Sequence, residues 1–124
     1  MTKFIVIGLG GALGAMARYG LQYIIQTRTG LLFPLGTLIV NLIGCFFIGF
    51  IMELAEIRSG LNSQIRFFLT VGLLGGFTTF SAFGYESLLM MRTMEFYYPI
   101  VYILTSLVGG LAFVFLGQIL ARLW

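Results

Sequence analysis

The chain has no histidine and a single cysteine, Cys45, among its 124 residues. One thiol cannot build a disulfide framework, and without histidine the His/Cys ligand clusters of a zinc site are excluded. Charge is almost as scarce. Seven Lys and Arg face four Asp and Glu, so 9% of residues are charged, where a soluble domain carries about 25%. The cations form no basic run, so nucleic acid is not a partner.

What fills the space is apolar. Hydrophobic residues make up 60% of the chain and the mean hydropathy is +1.06, which indicates an integral membrane protein. Four segments, residues 4–25, 31–55, 65–90 and 97–121, each exceed the ~20 residues that a hydrocarbon core requires. The fold expected is all-α, a single domain of four transmembrane helices. The first apolar run is longer than the core of a signal peptide and reads as a retained span.

Four passes put the N-terminus, the loop between the second and third spans and the C-terminus on one side, with Lys3, Arg58, Arg66 and Arg122. The other side holds Arg28 and Arg92, joined by Arg18 if its side chain snorkels outward. Such a bias hardly orients a chain by the positive-inside rule. Two copies inserted in opposite senses would be related by a two-fold axis in the membrane plane, as the halves of inverted-repeat transporters are.

The third span contains "GGFTTFSAFGYE", residues 75–86, and its first half falls at mid-membrane depth. Each glycine there costs ~1 kcal/mol of helix propensity, and the β-branched Thr78 and Thr79 help little. The helix is expected to be broken at this level. Freed carbonyls would attract a cation and freed N–H groups an anion; a kink closed by threonine hydroxyls bonding back to the helix is the alternative.

Other polar residues sit where lipid would demand Leu or Ile. "GTLIVNLIGCFFIG" places Asn41 mid-span, as interhelical glue or as a donor to an anion. "GLGGALGAMARYG" carries a stripe of small residues for helix packing and, within it, Arg18, which snorkels or lines an aqueous mouth. Tyr102 and Ser106 are spaced i, i+4 on the fourth span and share a face. Phe80 and Phe83 lie i, i+3 after the break; this is ordinary packing spacing, yet ring edges carry partial positive charge on which an anion can rest. Glu86, one turn on, is left to cap, pair or face a vestibule.

Taken together, "GLGGALGAMARYG", "GTLIVNLIGCFFIG" and "GGFTTFSAFGYE" closely resemble the Fluc family, also called CrcB, of bacterial fluoride channels. The resemblance covers nearly the whole chain, with three motifs in order on the first three spans. It implies an antiparallel, dual-topology homodimer in the bacterial plasma membrane, with two fluoride pores and a structural Na+ where the two breaks cross. It makes Phe80 and Phe83 the pore phenylalanines and Asn41 the polar pore residue. Ser81, Tyr102, Ser106 and Thr37 become pore-lining hydroxyl donors, Arg18 the vestibule arginine, and the backbone carbonyls of Gly75 and Thr78 the Na+ ligands. The family usually reads "TTFSTF", whereas residue 82 here is Ala, so one hydroxyl of that track is missing.

Passive flow is the expected mechanism, since the chain has neither a nucleotide motif nor an intramembrane proton relay. No enzymatic activity is expected, and the partners are fluoride, membrane lipid and a second copy. A proton-coupled multidrug exporter also has four spans, but it needs a carboxylate deep in the membrane. A non-transporting membrane subunit would not need the break, Asn41 and Phe80/Phe83 together.

Overall fold

Long apolar runs whose prolines, Pro34 and Pro99, fall only at a helix cap or first turn can satisfy every backbone group only as helices when lipid surrounds them. The computed structural model describes all 124 residues, and its regular elements are all helical. They are α1 (Thr2–Thr29), α2 (Leu35–Ile57), α3 (Ser63–Phe67), α4 (Gly75–Phe77), α5 (Phe80–Thr93) and α6 (Tyr97–Leu123), with a π-helical stretch, Phe68–Leu74, between α3 and α4. The run Ser63–Thr93 acts as one span, so four helical passes are long and apolar enough to cross a bilayer. This is a multi-pass membrane protein.

The spans end two to four residues beyond the apolar segments, and α2 starts four residues later than its segment, at Leu35, because local capping and turns, not hydropathy, set the ends. Gly30, at φ 60°, terminates α1 in the left-handed conformation that glycine adopts without strain, and its N–H bonds the Gln26 carbonyl at 3.0 Å. The Gln26 amide holds the turn that follows by donating to the carbonyls of Leu31 and Phe33. At the start of α3 the Asn62 side chain accepts from the Gln64 N–H at 2.9 Å.

Two contacts confirm which ends share a side. Arg122 Nε donates to Glu53 Oε1 at 2.6 Å, the only ion pair in the chain. Arg58 donates to the Trp124 carbonyl at 3.3 Å. The end of α2 and the end of α6 therefore meet, as four alternating passes require.

In lipid no hydrophobic gain drives helices together, so they associate by close backbone approach at small residues. Gly10 and Gly14 of α1 lie on the backbone of the third span, and Gly49 and Gly117 bring α2 and α6 together. A Cβ on Gly117 would sit 2.8 Å from the Phe50 nitrogen and closer still to the Phe46 carbonyl oxygen. Those obstructing atoms are main chain and cannot turn aside. Gly117→Val is therefore expected to separate α2 from α6 and cost about 1–3 kcal/mol, read as a lowered Tm in detergent. Gly8→Ala, whose new Cβ meets nothing within 4 Å, is the control that should hold its Tm.

Candidate functional site

The third span opens where two β-branched residues follow the paired glycines. Thr78 has φ −82° and ψ 156°, and Thr79 has φ −147° and ψ 114°, both extended. The Thr78 N–H and hydroxyl both bond the Leu74 carbonyl, each at 2.9 Å. The hydroxyl back-bond thus exists beside the break without closing it.

Asn41 of α2 holds the break from the side. Its Oδ1 accepts from the Thr79 N–H at 2.8 Å and its Nδ2 donates to the Thr79 carbonyl at 3.0 Å. One extended residue is gripped as a neighbouring strand would grip it. The Thr79 hydroxyl then caps α5, accepting from the Ala82 N–H at 3.2 Å.

These bonds have a consequence for the carbonyls. In an unbroken helix the Gly75 carbonyl would receive the Thr79 N–H and the Thr78 carbonyl the Ala82 N–H. Both donors are turned elsewhere, to Asn41 and to the Thr79 hydroxyl. Gly75 and Thr78 each keep a carbonyl without its helical partner, and Gly75 is exposed on the molecular surface. No group of three or more Cys, Asp and Glu side chains gathers to hold a metal ion.

An open groove of about 400 Å³ runs beside the break, and Asn41, Thr78, Phe80, Phe83 and Ser106 line it. No charged residue does. The rings of Phe80 and Phe83 are 5.6 Å apart, and Phe83 lies 5.4 Å from Tyr102. Ser106 Oγ is enclosed without a partner. Asn41 Nδ2 carries a second N–H beyond the one given to Thr79. Phe80 is 78% exposed, and Ser81 is exposed with its hydroxyl 3.3 Å from that of Thr79. Asn41 is therefore both glue and a remaining donor.

A second groove, of about 420 Å³, is lined by Tyr19, Gln22, Gln26, Thr37, Ala82 and Glu86. Here Thr37 and Tyr102, both buried, converge on one carboxylate: the Thr37 hydroxyl donates to Glu86 Oε1 at 2.8 Å and the Tyr102 hydroxyl to Oε2 at 2.7 Å. Glu86 pairs with no cation and caps no helix. Ala82 lines this groove, so the hydroxyl absent from that position is missing here and not beside Phe80 and Phe83. Ser106, although one turn from Tyr102, belongs to the first groove. Arg18 is half-buried with Nε enclosed and unpartnered, and lines neither groove.

Of the residues that sequence reasoning brought into consideration, Asn41, Phe80, Phe83 and Ser106 line the first groove and Thr37 the second, while Tyr102 is buried behind the second and reaches it through Glu86. Sequence reasoning missed Gln22, whose Nε2 donates to the Thr37 hydroxyl at 3.0 Å. The available signal was a weak one, an amide in the apolar first span but near its end, where Asn41 stands mid-span.

The family model described as "CrcB-like protein, Camphor Resistance (CrcB)" matches residues 5–118. The chain is 44% identical over 124 residues to the fluoride-specific ion channel FluC of Prosthecochloris aestuarii (strain DSM 271 / SK 413), covering 99% of this chain and 95% of that one. It is 43% identical over 122 residues to the protein of the same name from Chloroflexus aurantiacus (strain ATCC 29366 / DSM 635 / J-10-fl), covering 98% and 97%. To that of Nitratidesulfovibrio vulgaris (strain DSM 19637 / Miyazaki F) it is 43% identical over 123 residues, covering 99% of each. With the match running almost end to end and its polar residues gathered at a mid-span break, the chain belongs to the CrcB family.

Proposed function

We propose that this chain is a fluoride-selective passive ion channel, not an enzyme, working as an antiparallel homodimer with two pores. The observation that carries the reading is the uncharged groove beside the break, where the spare Asn41 N–H, the unpartnered Ser106 hydroxyl and the rings of Phe80 and Phe83 share one surface. Its relatives' name, fluoride-specific ion channel, supports the same conclusion.

Fluoride is small and strongly hydrated, so a pore must replace its water with several donors at once. An amide N–H, hydroxyls and positive ring edges do this without a fixed charge to hold the ion too tightly. Chloride returns less per donor and needs more room, so a narrow pore disfavours it. Flow is down the gradient. HF that permeates an acidified cell dissociates at cytoplasmic pH, and a passive path then suffices for export of the trapped anion.

What the single chain leaves uncovered supports the homodimer. Freed carbonyls at mid-membrane cost several kcal/mol each if lipid meets them, yet Gly75 is exposed and Phe80 is 78% exposed on the same surface. A second copy, inverted as the weak charge bias allows, would cover both breaks at once. Na+ fits the donor set there: the Gly75 and Thr78 carbonyls of the two chains would hold it, and its charge would compensate converging carbonyl dipoles. A proton-coupled exporter is disfavoured, because both oxygens of Glu86 already accept hydroxyl bonds.

The test is fluoride efflux from liposomes with charge clamped by an ionophore, compared with chloride. Phe80→Ile keeps an apolar side chain and removes the ring edge. It is expected to lower efflux by about tenfold or more, the loss of one contact worth about 1.4 kcal/mol at the barrier, with dimer elution unchanged. Equal fluoride and chloride efflux, or none, would sink the channel reading.

A further inference from the structure

The polar chain at the second groove contains a residue that the pore reading does not use. Seven side chains bear on the point. The hydroxyls of Thr27, Thr29, Thr70, Thr78, Ser87 and Thr93 each bond the carbonyl four residues back, the ordinary resort of a helical Ser or Thr. Thr37, 3% exposed, stands in the first turn of α2, where the residue four back, Phe33, precedes the helix, so that bond is not open to it. Its hydroxyl is tied instead to side chains on two other helices, Gln22 of α1 and Glu86 of α5.

The direction of each bond follows from the proton inventory. The single Thr37 proton goes to Glu86 Oε1 and the single Tyr102 proton to Oε2. The Thr37 oxygen then has only lone pairs to offer, and a donor must occupy them. Gln22 supplies its amide N–H at 3.0 Å. With the amide turned over, its carbonyl would compete with Glu86 for the one proton. Backbone packing fixes the meeting: a Cβ on Gly36 would lie 3.0 Å from Gln22 Cα and 3.1 Å from its carbonyl oxygen, so α1 and α2 touch at the residue before Thr37.

We propose that Gln22 is a positioning residue for fluoride conduction: by donating to the Thr37 hydroxyl it aims that hydroxyl's proton inward, beside that of Tyr102. The inference rests on the channel reading and deepens it. An anion that takes the place of the Glu86 carboxylate in the second groove then finds two hydroxyl donors already convergent, since both now point at that carboxylate. Released from Gln22, the Thr37 hydroxyl is free to rotate away from that direction, and the anion must turn it back before using it.

Gln22→Met keeps the length of the side chain and deletes the donor. Fluoride efflux is expected to fall about fivefold, the scale of one hydrogen bond, with dimer elution and Tm held. In a Thr37→Val background the same substitution should cost nothing further, because there is no hydroxyl to aim; a merely structural role for Gln22 would persist there. Gln22→Glu, which presents an acceptor where a donor belongs, should lower efflux more than Gln22→Met and serves if the methionine variant does not fold. Efflux by Gln22→Met equal to that of the unsubstituted chain, or an equal loss in the Thr37→Val background, would overturn the inference alone. An unsubstituted chain that moves no fluoride would overturn the channel reading and this inference with it.

Discussion

Asn41→Asp is expected to stop fluoride efflux, lowering it by at least about a hundredfold while the protein still folds and dimerises. The substitution is nearly isosteric. Its carboxylate can still accept the Thr79 N–H, which Asn41 Oδ1 now holds at 2.8 Å, so the extended conformation keeps one of its two ties. It cannot donate to the Thr79 carbonyl, a bond now 3.0 Å long, and it has no second N–H for an anion. It also sets a negative charge on the groove. Two like charges about 4 Å apart repel by about 4 kcal/mol at an effective permittivity near 20, and each 1.36 kcal/mol is tenfold in rate. Half of that repulsion, with the lost donor, would give the hundredfold. Asn41→Leu separates the two causes: it removes both ties and the donor but adds no charge, so it should loosen the break, lower Tm and conduct better than Asn41→Asp. Efflux by Asn41→Asp at the unsubstituted rate would remove Asn41 from the pathway.

Much of this arrangement was legible in the amino-acid sequence, for reasons that differ from element to element. The four spans were readable because lipid is a uniform solvent and a run of about 20 apolar residues matches its thickness as a helix. The break was readable because "GGFTT" contradicts helix propensity at a depth where irregular backbone is expensive. The ends of the spans were not, since Gly30 and Asn62 act through local geometry that hydropathy does not weigh. Nor was the π-helical stretch. "FLTVGLL" has nothing unusual in composition, and its wide turns lie opposite Gly10 and Gly14, where α1 touches the backbone of Phe68 and Leu73.

The site divides in the same way. Residue type nominated Asn41, but an amide has two donors and an acceptor, and only the fold tells that two of its groups hold Thr79 while one N–H stays free. Glu86 had three sequence readings, cap, ion pair or vestibule; it caps no helix and pairs with no cation, and it lines the second groove. Its partners, Thr37 and Tyr102, lie 49 and 16 residues away, and no local spacing encodes that meeting. Gln22 escaped notice because a long amide near a span's end looks like an interfacial side chain until its partner is seen to be buried.

Removal of Na+ is the second large expected effect. Replacing it throughout with a large organic cation such as N-methyl-D-glucamine should weaken the dimer by about a hundredfold or more and abolish fluoride efflux with it. The argument begins with the two carbonyls, Gly75 and Thr78, whose helical donors have gone to Asn41 and to the Thr79 hydroxyl. In a single chain Gly75 is exposed; in an antiparallel pair the breaks would face each other, bringing four carbonyl oxygens together with their negative ends converging. Without a cation each unsatisfied buried carbonyl costs about 1–3 kcal/mol, so even the lower figure taken four times exceeds the ~2.8 kcal/mol that a hundredfold requires. A large cation cannot enter a site built from main-chain oxygens of two touching helices, whereas K+ or Li+ should rescue in part according to fit. Association measured across a Na+ titration reads the effect directly. The dependence should survive Phe80→Ile, since Phe80 lines the same groove as Gly75 and Thr78 but the substitution leaves both main-chain carbonyls in place, so a loss of efflux through the pore and a loss through the interface are distinguishable. A dimer equally stable with and without small cations would mean that the freed carbonyls find partners in the second chain itself.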